Sequence, residues 1–202
     1  MHEEPATADV VDPGGGSPDR KTVLKTQLIT VELSDLHKTD GFLCTMSPRV
    51  AGFFANEAKQ LIPSRFCKAF IAPDPNDPTA ILGFYTLSSA QLRKENVSGG
   101  DEKRLVKSAR GFAPPMIRIG FMGKDDRAPK GFGTALLIDA ARRIYVQDIG
   151  AWGIVLEPEN GTKNDNKLWQ WYQKQGFKAC REIDGTAYIP LSALLPELQG
   201  GT

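Results

Sequence analysis

The segment Arg127-Ala128-Pro129-Lys130-Gly131-Phe132-Gly133-Thr134-Ala135-Leu136-Leu137 sets two glycines where an extended stretch gives way to helical spacing. The first amides of a helix have no intrahelical acceptor and lie at the positive end of its dipole, so a turn of this kind donates hydrogen bonds to phosphate. A ligand with a diphosphate is the chemistry that the main chain of Lys130, Gly131, Phe132, Gly133 and Thr134 points to. Further along, Trp169-Gln170-Trp171-Tyr172-Gln173-Lys174-Gln175-Gly176-Phe177 carries a phenol on a second helical stretch. Between Trp171 and Phe177, Tyr172 also reads as a core residue with its hydroxyl near the surface.

These groups need elements to hold them. VLKTQLITVEL reads as a short strand or extended arm, and Ser47-Pro48 as a helix start, with Ser47 the cap and Pro48 the first helical residue. Val50, Phe53, Phe54, Ala58 and Leu61 continue that helix until Pro63 stops it. FCKAFIA and AILGFYTLSSAQL form a hairpin across the proline-rich turn 73–78. A helix falls between Arg93 and Arg110, and the strand MIRIGFMG leads into the glycine turn. The helix from 131 to about 148 turns Leu136, Ala140, Ile144, Leu137, Ala141 and Tyr145 inward, and Asp139, Arg142, Arg143 and Gln147 outward. A strand from Trp152 to Glu157, a helix from Asn164 to Gln175 stopped by a left-handed Gly176, and a last pair turning at Asp184-Gly185 complete the series. Asn164 or Asn166 fits the cap of that last helix as well as it fits a ligand.

A chain of 202 residues with 41% hydrophobic residues supplies one domain, here 23–202, behind a proline- and glycine-rich tail, 1–22, that is too polar to order itself. A net charge of +1 gives no global case for nucleic acid. No apolar run approaches the roughly 18 residues of a membrane span, and the N-terminus lacks the basic and apolar pattern of a signal peptide, so the expectation is a cytoplasmic protein without membrane contact. Cys44, Cys67 and Cys180 have no metal-ligand or disulfide spacing and read as reduced thiols; no metal is expected.

The order of elements, with the glycine turn and the late aromatic helix in register, resembles the GCN5-related N-acetyltransferases (GNAT). Their signature Q/R-x-x-G-x-G/A is matched by Gly131 and Gly133, while Ala128 stands at the Gln/Arg position, a departure that removes one usual side chain. Their F-Y-x-x-x-G-F helix is matched by Trp171 to Phe177, with Tyr172 on the tyrosine. The resemblance implies an α+β fold with a central mixed, mostly antiparallel sheet flanked by helices, and acetyl-CoA as cofactor. It also implies a pyrophosphate site at Arg127, Ala128 and Lys130 to Thr134, and pantetheine contacts along the main chain of Phe121, Met122 and Gly123. Tyr172 takes the role of the acid that protonates the leaving thiolate. A phenol of ordinary pKa near 10 suits that role against a thiol near 8.5.

Upstream, Phe42, Cys44, Phe53 and Phe54 parallel an F-x-C-G-x-x-x-L-x-x-F-L motif, with Thr45 in place of its glycine, and Gly83-Phe84-Tyr85-Thr86-Leu87-Ser88 parallels G-Y-Y-T-L-S. Both motifs resemble the GNAT toxins of bacterial toxin-antitoxin pairs. The implied acceptor is aminoacyl-tRNA, the implied partner a ribbon-helix-helix antitoxin and the implied assembly a homodimer. The strand MIRIGFMG has no carboxylate to act as base, which favours an α-amine, about 7.7 to 8.0 in reference pKa, over a lysine near 10.4. Arg93, Lys94, Lys103, Arg104, Lys107, Arg110 and Arg118 outnumber Glu95, Asp101 and Glu102 between 93 and 118, which fits an RNA-facing surface and equally a solvated helix. An acetyltransferase for a small amine or a protein N-terminus, and a non-catalytic CoA-binding module, stay open beside the toxin.

Overall fold

The structure, a computed structural model, describes residues 28–61, 63–109, 113–146 and 150–194. The tail 1–22, the start of the arm, Arg110, Gln147 and the end of the helix near 148 lie outside the described residues.

Seven strands form one sheet in the order β1-β2-β3-β4-β5-β7-β6. They are β1 Val31–Glu32, β2 Lys68–Pro73, β3 Ile81–Gln91, β4 Pro115–Lys124, β5 Gly153–Leu156, β6 Lys178–Ala179 and β7 Ala187–Pro190. Only β4 and β5 pair in parallel, because the crossover between them contains a helix, α4 Phe132–Tyr145. The architecture is the expected α+β, mixed and mostly antiparallel, with helices on both faces.

One face carries α1 Pro48–Asn56 and α2 Ala58–Leu61. Ser47 caps α1 by accepting from the Val50 amide, and Pro48 stands in its first turn. The single helix expected from 48 to 61 is instead broken at Glu57, where the chain leaves helical continuity although its apolar spacing does not. An aromatic cluster fastens α1 to the sheet: Phe54 stacks on Phe84 at 4.0 Å, Phe53 on Phe121 at 3.6 Å, and Phe42 meets Phe84 edge-on at 5.3 Å.

The other face carries α4, whose Leu136, Leu137, Ala140, Ala141 and Ile144 are buried as expected. Two parts of the expected helical pattern are corrected. Tyr145 is half-exposed, and Asp139 and Arg143 do not simply face solvent. Tyr85 donates to Asp139 at 2.5 Å, Thr30 donates to the same carboxylate at 2.6 Å, and Arg143 donates to the Tyr85 hydroxyl at 3.1 Å and to Thr30 Oγ1 at 2.8 Å. The Arg143 guanidinium also covers the Phe70 ring at 4.0 Å. Burial pushes the Tyr85 phenol well above its ordinary value, and the Asp139 hydrogen bond adds to the rise. This polar knot joins the arm before β1 to β3 and α4.

The stretch 93–109 holds a 3-10 turn, Lys94–Asn96, and α3 Gly99–Ala109. The last helix, α5 Lys167–Lys174, is capped by Asn166 and followed by Gly176 at φ +94°.

Candidate active site

β4 pairs with β5 only from Met116 to Ile119, while its other edge stays on β3 as far as Lys124. From Gly120 onward the β5 side of β4 therefore has no strand partner, and Phe121, Met122 and Gly123 lie on this open edge. An extended ligand arm finds unpaired main chain there. Met122 packs toward α4, Phe121 toward α1, and Gly123 is buried where a Cβ would come within 2.6 Å of Val50 Cγ1.

The strand runs into the glycine turn. Gly131 caps α4 in the left-handed region at φ +89°, a conformation that glycine adopts without a Cβ penalty. Thr134 and Ala135 donate to the Gly131 carbonyl, and Phe132 donates to that of Pro129. Among the described residues the amides of Lys130, Gly131 and Gly133 have no acceptor, so the amides open to an anion are three of the five expected. Phe132 and Leu136 dock on β3 at Gly83, where a Cβ would lie within 2.8 Å of both side chains.

Arg127, expected at the pyrophosphate site, is held within its own turn. Asp125 does not face the phosphate side: it is fully buried and accepts from the Leu43 amide at 2.8 Å, the Arg127 amide at 2.9 Å, and the Arg127 guanidinium at 2.6 and 3.0 Å. Burial alone would raise its carboxyl, but the Arg127 and backbone hydrogen bonds outweigh it and hold the group below the usual carboxylate value. Asp126 accepts from the amide and hydroxyl of Thr45. The half-exposed Arg127 guanidinium is thus bound to a carboxylate of its own turn, and Ala128 is buried at 7% exposure. The pair of aspartates ties the loop around Cys44 to the glycine turn.

Tyr172 meets this turn through its neighbour, since a Cβ at Gly133 would lie 3.8 Å from Trp171 Cζ2. The Tyr172 ring is buried edge-on against Trp171 at 4.7 Å and Phe177 at 5.3 Å. Among the described residues Asn96 Oδ1 is the only side-chain polar atom both sealed from solvent and unpaired; the Tyr172 hydroxyl has no hydrogen-bond partner among them and so keeps some access to solvent. Burial pushes its pKa well up and no neighbouring cation offsets this, which makes it an O–H donor and not a phenolate. Core residue and reactive group are therefore compatible readings: the ring packs and the hydroxyl is available.

Asn166 is occupied. Its oxygen caps Leu168 and Trp169, and its nitrogen donates to the carbonyls of Glu159 and Gly161 at 2.7 Å. Of the basic residues, Arg93, Lys103, Arg104 and Lys107 are exposed and Lys94 is half-buried. Lys94 lies 3.9 Å from Glu95, Arg104 4.0 Å from Asp101, and Arg118 2.9 Å from Glu157, while Arg93, Lys103 and Lys107 form no ion pair among the described residues. α3 is anchored by Asp101, which is 3% exposed and accepts from Ser98 at 2.9 Å, Tyr188 at 2.9 Å and Lys178 at 2.6 Å. Sequence reasoning missed this anchor, as it missed Tyr85 and the buried state of Asp125. Among the described residues no cluster of His, Cys, Asp or Glu is arranged to hold a metal, and no helix is long and apolar enough to cross a membrane.

Solved structures share this fold. A tyrosine-to-phenylalanine mutant of KacT matches with a TM-score of 0.68 at 18% identity, over 85% of this chain and 99% of that one. The chain shares the fold of KacT and AtaT. AtaT complexed with acetyl-methionyl-tRNAfMet matches with a TM-score of 0.69 at 16% identity, over 84% of this chain and 98% of that one. A tyrosine-to-phenylalanine mutant of AtaT, bound to acetyl-CoA and the C-terminus of the antitoxin AtaR, matches at 0.62 and 16% identity, over 83% of this chain and 96% of that one. No protein-family model matches the chain.

Proposed function

We propose that the protein is an acetyl-CoA-dependent N-acetyltransferase, a toxin that acetylates the α-amine of aminoacyl-tRNA and so blocks translation. The observation that carries this reading is the convergence of three features at one end of the sheet: the unpaired edge of β4, the glycine turn, and α5 with Tyr172. The residues fit acetyl-CoA. Free amides at Lys130, Gly131 and Gly133 suit a pyrophosphate, and the edge of β4 that β5 leaves open from Phe121 to Gly123, where the Phe121 amide itself is turned to Thr86, suits a pantetheine arm. Acetyl-CoA supplies a thioester-activated acetyl group.

The chain's own contribution is positioning and one proton. Main-chain donors on β4 polarise the acyl carbonyl as negative charge develops on its oxygen. The neutral amine nitrogen would form the new bond to the acyl carbon as the carbon–sulfur bond breaks; Tyr172 would give its hydroxyl proton to the departing sulfur and regain one from the proton that the nitrogen sheds on becoming an amide, directly or through water. Before attack an ammonium would have to lose a proton, and β4 has no carboxylate to take it. An α-amine of reference pKa about 7.7 to 8.0 is substantially neutral beforehand, and esterification of the adjacent carboxyl removes an anion and lowers it further. The aminoacyl-tRNA acceptor is supported by the AtaT complex and by Arg93, Lys103 and Lys107, which are exposed and form no ion pair among the described residues. A ribbon-helix-helix antitoxin and a cytoplasmic homodimer belong to the same reading; the AtaT–AtaR pairing supports an antitoxin partner of any type.

Tyr172→Phe tests the assignment. It keeps the ring packed and removes the proton, so kcat should fall by about 10²- to 10⁴-fold while acetyl-CoA affinity stays within threefold. Unchanged turnover would remove Tyr172 from the chemistry.

A further inference from the structure

Between β3 and β4 the pairing slips by one residue. Tyr85 faces Met122 and Leu87 faces Ile119, so Gly120 and Phe121 together oppose Thr86. This is a bulge in β4, and it sits where β4 parts from β5. The Phe121 amide at the bulge donates to Thr86 Oγ1 at 2.9 Å, a side-chain acceptor within a ladder of main-chain bonds. Thr86 is buried, and a Cβ on Gly120 would lie 3.1 Å from the same oxygen.

The extra residue resets the alternation of the strand. Ile117 and Ile119 face α4, and so does Met122, three residues after Ile119. Phe121 is thereby turned to the opposite face and stacks on Phe53 of α1. Without the bulge Phe121 would follow Ile119 toward α4, and the main chain from Phe121 to Gly123 would be rotated.

We propose that Thr86 is a positioning residue for this site: its hydroxyl holds the bulge that aims the main chain of Phe121, Met122 and Gly123 along the open edge of β4. The consequence for acetyl-CoA rests on the proposed function; the structural part does not. Thr86→Val keeps the β-branched shape and removes the acceptor, leaving the part-buried Phe121 N–H unpaired, whereas Thr86→Ser keeps the acceptor.

The test measures amide hydrogen exchange at Phe121, acetyl-CoA affinity by calorimetry, and kcat and KM in the wild type and both variants. Thr86→Val should speed exchange at Phe121 by at least about tenfold and weaken acetyl-CoA binding about tenfold or more, with Thr86→Ser within threefold of wild type in both. In turnover, KM for acetyl-CoA should rise more than kcat falls. Exchange and acetyl-CoA affinity unchanged in Thr86→Val, or equally altered in Thr86→Ser, would overturn the proposal. A wild-type protein that does not bind acetyl-CoA refutes the proposed function instead, and the exchange rates then decide whether Thr86 holds the bulge.

Discussion

Asp125 and Asp101 are both buried carboxylates with a cation beside them, yet they fix different things because their donors differ in kind. Asp125 takes two of its four hydrogen bonds from main-chain amides, Leu43 and Arg127, so it sets the path of the backbone. Asp101 takes its three short bonds from the side chains of Ser98, Tyr188 and Lys178, so it sets the place of a helix already formed. The first lies beneath the glycine turn and the second beneath the basic surface of α3. A buried anion thus controls the path of the glycine turn in one region and the presentation of surface charge in the other. The Asp125 clamp also bears on Ala128: a turn without the usual long side chain at that position is held from inside by the Asp125–Arg127 pair.

The largest expected effect is that of Asp125→Asn, which opposes an amide donor with another N–H. Thermal unfolding should show a loss of about 2 to 3 kcal/mol, mostly from the backbone bonds because the half-exposed Arg127 is screened. KM for acetyl-CoA should rise about tenfold with RNA affinity unchanged. Asp101→Asn should cost about 1 to 2 kcal/mol and do the reverse, weakening RNA binding several-fold while KM for acetyl-CoA holds. Equal changes in both parameters for both variants would break the distinction.

The pH dependence sharpens it. Burial raises the Asp101 carboxyl but its hydrogen bonds outweigh this, so both aspartates are held below their ordinary value in the fold. The unfolded chain then binds more protons, and the stability from each pair is present above about pH 4 and lost as pH falls through the depressed folded values. Acid titration of unfolding should therefore be steep below about pH 4 in the wild type and shallower in either Asn variant.

The smallest effect belongs to the surface. Lys103→Ala with Lys107→Ala should leave stability within about 0.5 kcal/mol and reduce the slope of log K against log salt for RNA by about 1 to 2. An unchanged slope would place the RNA surface elsewhere.

The glycine turn and the late helix are legible in the sequence because their signals are local. Gly131 needs a left-handed backbone, Gly176 likewise, and Ser47-Pro48 caps a helix within four residues. What escaped depends on distant partners. Asp139 and Arg143 look solvent-facing on a helical wheel, and only the fold brings Tyr85 and Thr30 against them. Asp125 stands beside a phosphate-binding turn in sequence but points away from it, toward an amide in a loop 82 residues upstream. The break at Glu57 leaves the apolar spacing intact, and the bulge opposite Thr86 is invisible in a strand whose alternation is read one chain at a time.

The most direct test is transfer of labelled acetyl from acetyl-CoA to RNA, with charged and deacylated tRNA in parallel. The account predicts label on charged tRNA alone, bound to the amino acid and lost with it on mild alkaline deacylation. Label on a free amine or a protein N-terminus with none on charged tRNA, or bound acetyl-CoA with no transfer at all, would contradict it.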